Sequence, residues 1–141
     1  MTKKIFFTFF VLILVAFTAD GLYKDGTYSG LSRAIYLDEP YYGVSNVTIE
    51  NGKIVKVNFS VRDSAKGILF DEKYERFFAG NDEYVLQCRN DWKGINSYPD
   101  SFMKYQDLNK VDVISGATWS HNLFVSSTQE ALSAAEKEKN K

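Results

Sequence analysis

The segment from Tyr41 to Arg62 constrains the fold more than any other part of the chain. Val47 and Ile49 alternate with polar neighbours, and Val55, Val57, Phe59 and Val61 share a face opposite Lys56, Asn58, Ser60 and Arg62. Between the two runs, Asn51-Gly52 supplies residues that tolerate the positive φ angles of a type I′ turn. A period of two on both sides of such a turn predicts an antiparallel hairpin with one buried and one wet face. A chain with this hairpin needs other elements to cover its apolar side.

The C-terminal part can supply that cover. Phe124, Thr128, Ala131 and Ala135 fall on one side of a helix, with Val125 and Leu132 beside them, which predicts a helix over about 120–137. It ends in a charged run, Lys137 to Lys141. Upstream, Asp25-Gly26 marks a turn, and Thr27 to Gly30 opens a strand-like stretch. Tyr74, Phe77 and Phe78, spaced i, i+3, i+4, predict a helix over about 71–78. Gly80-Asn81-Asp82 stops it, and a second short helix over 83–90 carries Cys88. Residues 91–110 contain Gly94 and Pro99 and read as loop with room for one helical turn. Strands first and helices after them predict an α+β domain over 23–137, a mainly antiparallel sheet with helices on one face.

Composition narrows the chemistry. The chain has 141 residues, 45% of them hydrophobic and 25% charged, which suits one globular domain. Its net charge of -1 argues against nucleic acid as a partner, because phosphate backbones are bound by basic faces. One cysteine and one histidine leave no zinc site, disulfide framework or CxxC redox pair. Cys88 is expected to be a buried apolar thiol. Chemistry must come from oxygen-bearing side chains or from a cofactor.

Lys3 and Lys4 precede an apolar run from Ile5 to Ala19, broken only by Thr8 and Thr18. Fifteen residues make roughly 22 Å of helix, short of a ~30 Å hydrocarbon core. Residues 1–19 therefore read as a secretory signal peptide or, because the cleavage site is imperfect, as an uncleaved membrane anchor through residues 5–19. Either reading exports the domain to the cell envelope, membrane-associated or secreted. Of the 17 basic residues only Lys3 and Lys4 lie in that segment, so the remainder carries 15 against 18 acidic, a net of -3.

The most specific feature stands just before the last helix: Asp112-Val113-Ile114-Ser115-Gly116-Ala117-Thr118, followed by Trp119, Ser120, His121 and Asn122. A strand-like run from Val111 to Ile114 leads into small residues and then into a helix N-terminus. Free N–H groups and the positive dipole end there favour a phosphate. Ser115, Thr118 and Ser120 offer hydroxyls as donors or covalent acceptors. On spacing alone, Ser115 or Ser120 could equally cap the helix, and Trp119 could fill core.

The run DVISGATWS resembles the flavinylation motif of the FMN-binding domain family, D-x-x-[ST]-G-A-[TS]. The early DGTYSG, the strand–NGKI–strand hairpin and the long helix after the motif are similar too, and the resemblance covers roughly residues 23–135. It implies FMN as cofactor, with Thr118 as the acceptor of a phosphoester bond made by a separate flavin transferase. It makes Asp112, Ser115, Gly116 and Ala117 the motif read by that enzyme and part of the phosphate surround. Trp119, Ser120, His121 and Asn122 stand near phosphate or ring by adjacency alone. The implied role is electron transfer at the cell envelope, with an electron donor or acceptor protein or a quinone-linked complex as partner. Two alternatives stay open: a module that holds FMN or another phosphate-bearing ligand non-covalently, and an exported structural or adhesive domain without cofactor. A hydrolase built on Thr118 or Ser120 with His121 lacks a nucleophile elbow.

Overall fold

The computed structural model describes residues 21–32 and 38–141; the expected signal or anchor segment lies outside them. Four strands, β1 (Gly26–Leu31), β2 (Tyr41–Glu50), β3 (Lys53–Asp63) and β4 (Ile68–Leu69), form an antiparallel sheet in the order β1-β2-β3-β4. A 3-10 turn (Tyr74–Phe78) leads into helix α1 (Asp82–Tyr105), a second 3-10 turn (Leu108–Lys110) follows, and α2 (Thr118–Lys139) closes the chain. The fold is α+β, as the order of elements predicts. Among the described residues no helix is long and apolar enough to cross a membrane.

The hairpin forms where expected, with φ of 52° at Asn51 and 72° at Gly52. Its register differs at one place. Thr48 pairs with Lys56 but Ile49 pairs with Ile54, so Val55 is an extra residue in a β-bulge. The alternation shifts by one there. Val55 turns outward, 46% exposed, and Ile54 takes the buried position beside Val57 and Val61. Phe59 is half-buried and packs edge-on to Phe124 of α2.

The middle of the chain is helix, not loop. Residues 83–90 are only the start of α1, which continues through 91–105 with Gly94 and Pro99 inside it. Cys88, Asp91, Ile95, Tyr98 and Phe102 alternate by three and four and form one buried stripe. Burial of that stripe overrides two residues that read as breakers. Gly94 is there for contact: a Cβ would stand 2.9 Å from Ser120 Oγ, where α1 crosses α2. Only Tyr74–Phe78 of the helix expected over 71–78 forms, as 3-10 turn. Val111 to Ile114 is no strand; the Val111 amide bonds the Leu108 carbonyl and no ladder partner exists among the described residues.

Helix α2 starts at Thr118, two residues before the expected Ser120, and ends at Lys139. Phe124, Thr128, Ala131 and Ala135 are all fully buried against β1 and β2. The main core joins this face to Val47, Ile49, Ile54 and Val57 of the sheet and to Tyr98 and Phe102 of α1. A second cluster, around Val61, Phe70, Tyr74, Cys88, Ile95 and Leu123, underlies the opposite end of the sheet.

Candidate functional site

The motif folds as a turn clamped from beneath. Gly116 takes φ 76°, a left-handed value that disfavours a side chain, and the Ala117 amide bonds the Ile114 carbonyl at 2.9 Å. Ala117 is fully buried, and its carbonyl accepts from Tyr98 O–H (2.9 Å), Ser120 O–H (3.1 Å) and the His121 amide (3.1 Å). The same Tyr98 oxygen accepts from the Ile114 amide at 3.3 Å, so one hydroxyl joins both sides of the turn. Gln87 Nε2 donates to the Gly116 carbonyl (2.8 Å) and to Asp91 Oδ2 (2.7 Å), while Asp91 Oδ1 accepts the Ser120 amide (3.1 Å).

These contacts sort the expected site residues. Thr118 is exposed at the first turn of α2, whose N-cap residue, Ala117, supplies no side-chain cap, so that only the Ser120 amide is taken, by Asp91. The amides of Thr118 and Trp119 find no partner among the described residues, so this helix end offers a hydroxyl and two N–H groups to a ligand. Asp112 and Ser115 are exposed, with no side-chain hydrogen bond among the described residues. Ser120 is fully buried and its hydroxyl is spent on Ala117, so it neither caps α2 nor faces solvent. His121 turns inward: its Nε2 donates to the Val111 carbonyl at 2.8 Å and its ring meets Tyr98 edge-on. Trp119 is half-buried, with Nε1 donating to Glu39 (3.0 Å) and its ring against Tyr41 (5.2 Å) and Phe70 (5.4 Å).

Two adjoining clefts share Trp119 and Gln87. One, about 320 Å³, is polar and is bordered by Gly116, Thr118 and Asn122. The other, about 250 Å³, is walled by Tyr41, Phe70, Phe78 and Tyr84, with Cys88, Asp91 and Glu39 completing it. Burial pushes the Cys88 thiol up to about 11, with Asp91 and Glu75 adding to the effect, so it is a neutral thiol at neutral pH. Burial also raises the Asp91 carboxyl above its ordinary value, against the lowering effect of its bonds to Gln87 and Ser120. Sequence reasoning missed Gln87, Asp91, Tyr98 and the aromatic wall. The available signal was a lone carboxylate, Asp91, in phase with the apolar stripe of α1.

A polar pocket at a helix N-terminus beside an aromatic slot suits a ligand with an anionic end and a flat ring. Such a site on an α+β scaffold defines a nucleotide-type cofactor carrier. The chain belongs to the FMN-binding domain family, whose model matches residues 44–133, and FMN is its cofactor. In fold it is similar to the crystal structure of the CPE2226 protein from Clostridium perfringens. That match has a TM-score of 0.61 and 22% identity over 84% of this chain and 93% of that one. No curated protein matches the chain.

Proposed function

We propose that the domain carries FMN as a phosphoester on Thr118 and relays electrons at the cell envelope. One observation carries the attachment: the exposed Thr118 hydroxyl stands at a helix N-terminus beside two amides with no partner among the described residues, in a cleft that adjoins an aromatic slot. Those two amides would hold the phosphate oxygens. Among the described residues no Lys, Arg or His borders the polar cleft, so the hydroxyl and the amides are the groups it offers a phosphate. A covalent bond supplies retention, and an exported domain needs it most, since a lost flavin would not be replaced. In forming that ester, Thr118 Oγ1 bonds to phosphorus and loses its proton, and the flavin donor's leaving group departs; a flavin transferase would catalyse this. When bound, FMN supplies the one- and two-electron chemistry. The chain's residues would hold the phosphate and wall the ring with aromatic side chains. Export rests on residues 1–19, and the redox partner would be an envelope protein or a quinone-linked complex.

Intact mass of the denatured protein, co-produced with an active flavin transferase, tests the reading. The expected gain is one FMN less one water, absent in Thr118→Ala. Because Thr118 is exposed at the first helical position, the alanine variant should keep its stability within about 0.5 kcal/mol. Stoichiometric flavin on the denatured alanine variant would overturn the assignment. Flavin that copurifies but leaves on denaturation would favour the non-covalent module instead.

A further inference from the structure

We propose that Asp91, aided by Glu39 across the aromatic cleft, sets the reduction potential of the bound flavin low. The inference rests on the reading that the flavin ring occupies that cleft. Its walls are aromatic apart from Gln87, the Cys88 thiol and two carboxylates, and among the described residues no cationic side chain lines it. Asp91 is 2% exposed and has no ion-pair partner among the described residues; both its oxygens accept N–H bonds, from the Ser120 amide and Gln87 Nε2, an arrangement that suits the ionised carboxylate. Arg89, two residues before it, is committed to Glu75 at 2.6 and 2.9 Å. Glu39 is exposed, with Oε2 fixed by Trp119 Nε1.

Reduction adds negative charge to the ring, and a carboxylate close by that is itself cut off from water opposes that addition. Asp91 acts a second way through the same atoms. It takes the Ser120 N–H of the first turn of α2, and so offsets the positive dipole end that would otherwise favour an electron-rich ring. Both effects have the same sign. Glu39 contributes less, because water and salt screen an exposed charge.

Spectroelectrochemical titration of the flavin-loaded full chain reads this directly. Asp91→Asn should shift the midpoint potential upward, and Glu39→Gln should shift it upward by less. Asp91→Glu keeps the charge while disturbing the packing, so it should stay nearer to wild type than Asp91→Asn does. An unmoved or lowered potential in Asp91→Asn, with flavin shown attached by intact mass, would overturn the proposal. So would Asp91→Glu shifting as far as Asp91→Asn, since packing would then be the cause. Should Asp91→Asn fail to fold or to take flavin, Glu39→Gln decides by the same sign. Ring placement is checked separately: wild-type flavin fluorescence should be quenched relative to free FMN and partly restored in Tyr41→Leu. Fluorescence like free FMN in both would sink the placement, whatever the potentials show.

Discussion

At the scale of single residues, the site depends on side chains that never touch solvent. Tyr98 is the clearest case, since one buried hydroxyl donates to the Ala117 carbonyl and accepts from the Ile114 amide. Tyr98→Phe removes one donor from a carbonyl that keeps two others and strands the Ile114 amide. The expected cost is about 1–3 kcal/mol in chemical denaturation, together with slower flavin attachment, because the turn presenting Thr118 loosens. Full stability in that variant would show that Ser120 and His121 hold the turn alone. Cys88 offers a second reading at this scale. Its raised pKa means that the folded state resists losing the proton. That contribution is complete below the ordinary value of 9.0 and fades as pH climbs toward about 11. Native protein at pH ~8 should therefore resist alkylation and label fully on denaturation.

Between elements, the decisive contact is the close approach of α2 to the first two strands. Ser45 Oγ sits 2.7 Å from Ser127 Oγ and 2.9 Å from Thr128 Oγ1, a hydroxyl cluster sealed in the sheet–helix interface. Gly30 of β1 permits the approach: a Cβ there would overlap the Ser127 carbonyl oxygen and stand 2.5 Å from the Ala131 nitrogen. Those are backbone atoms and cannot rotate away. Gly30→Ala should cost about 1–3 kcal/mol or more, read from the denaturation midpoint, whereas Ser29→Ala on the exposed side should stay within about 0.5 kcal/mol. Equal effects at the two positions would show that the helix has slack against the sheet. The same approach explains why α2 is rich in Ala and Ser where a bulkier helix would stand off.

Across the whole molecule, a buried carboxylate links the sheet to the cleft. Asp63, at the end of β3, accepts from Tyr74 O–H (2.5 Å), the Ala65 and Lys66 amides and Lys66 Nζ, and Tyr74 contacts Tyr41 O–H at 2.9 Å in the cleft wall. Burial alone would raise this carboxyl, but the bonds from Tyr74 and Lys66 outweigh it and hold it below its ordinary value of 3.8. A depressed folded pKa means stability that is present above 3.8 and lost as pH falls through the lower folded value. Acid unfolding should steepen below pH ~3.8 in the wild type, and Asp63→Asn should be less stable at neutral pH with a flatter acid limb. An unchanged acid limb would assign that loss to other carboxylates.

Local patterns fixed what depends on neighbours in the chain. The Asn51-Gly52 turn, the alternation around it and the periodic face of α2 were legible because dihedral preference and periodicity are local properties, and the Asp112–Thr118 motif was legible through its resemblance to a family's. The bulge at Val55 was not, since an extra residue shows only when two strands are laid side by side. Nor was α1 through Gly94 and Pro99, because burying Ile95, Tyr98 and Phe102 outweighs two poor helix formers, and that gain exists only once the sheet and α2 are in place. The same holds for the site. Thr118 could be named from its motif, whereas Gln87, Asp91 and Tyr98 beneath it, and the aromatic slot beside it, are brought there by the crossing of two helices far apart in sequence.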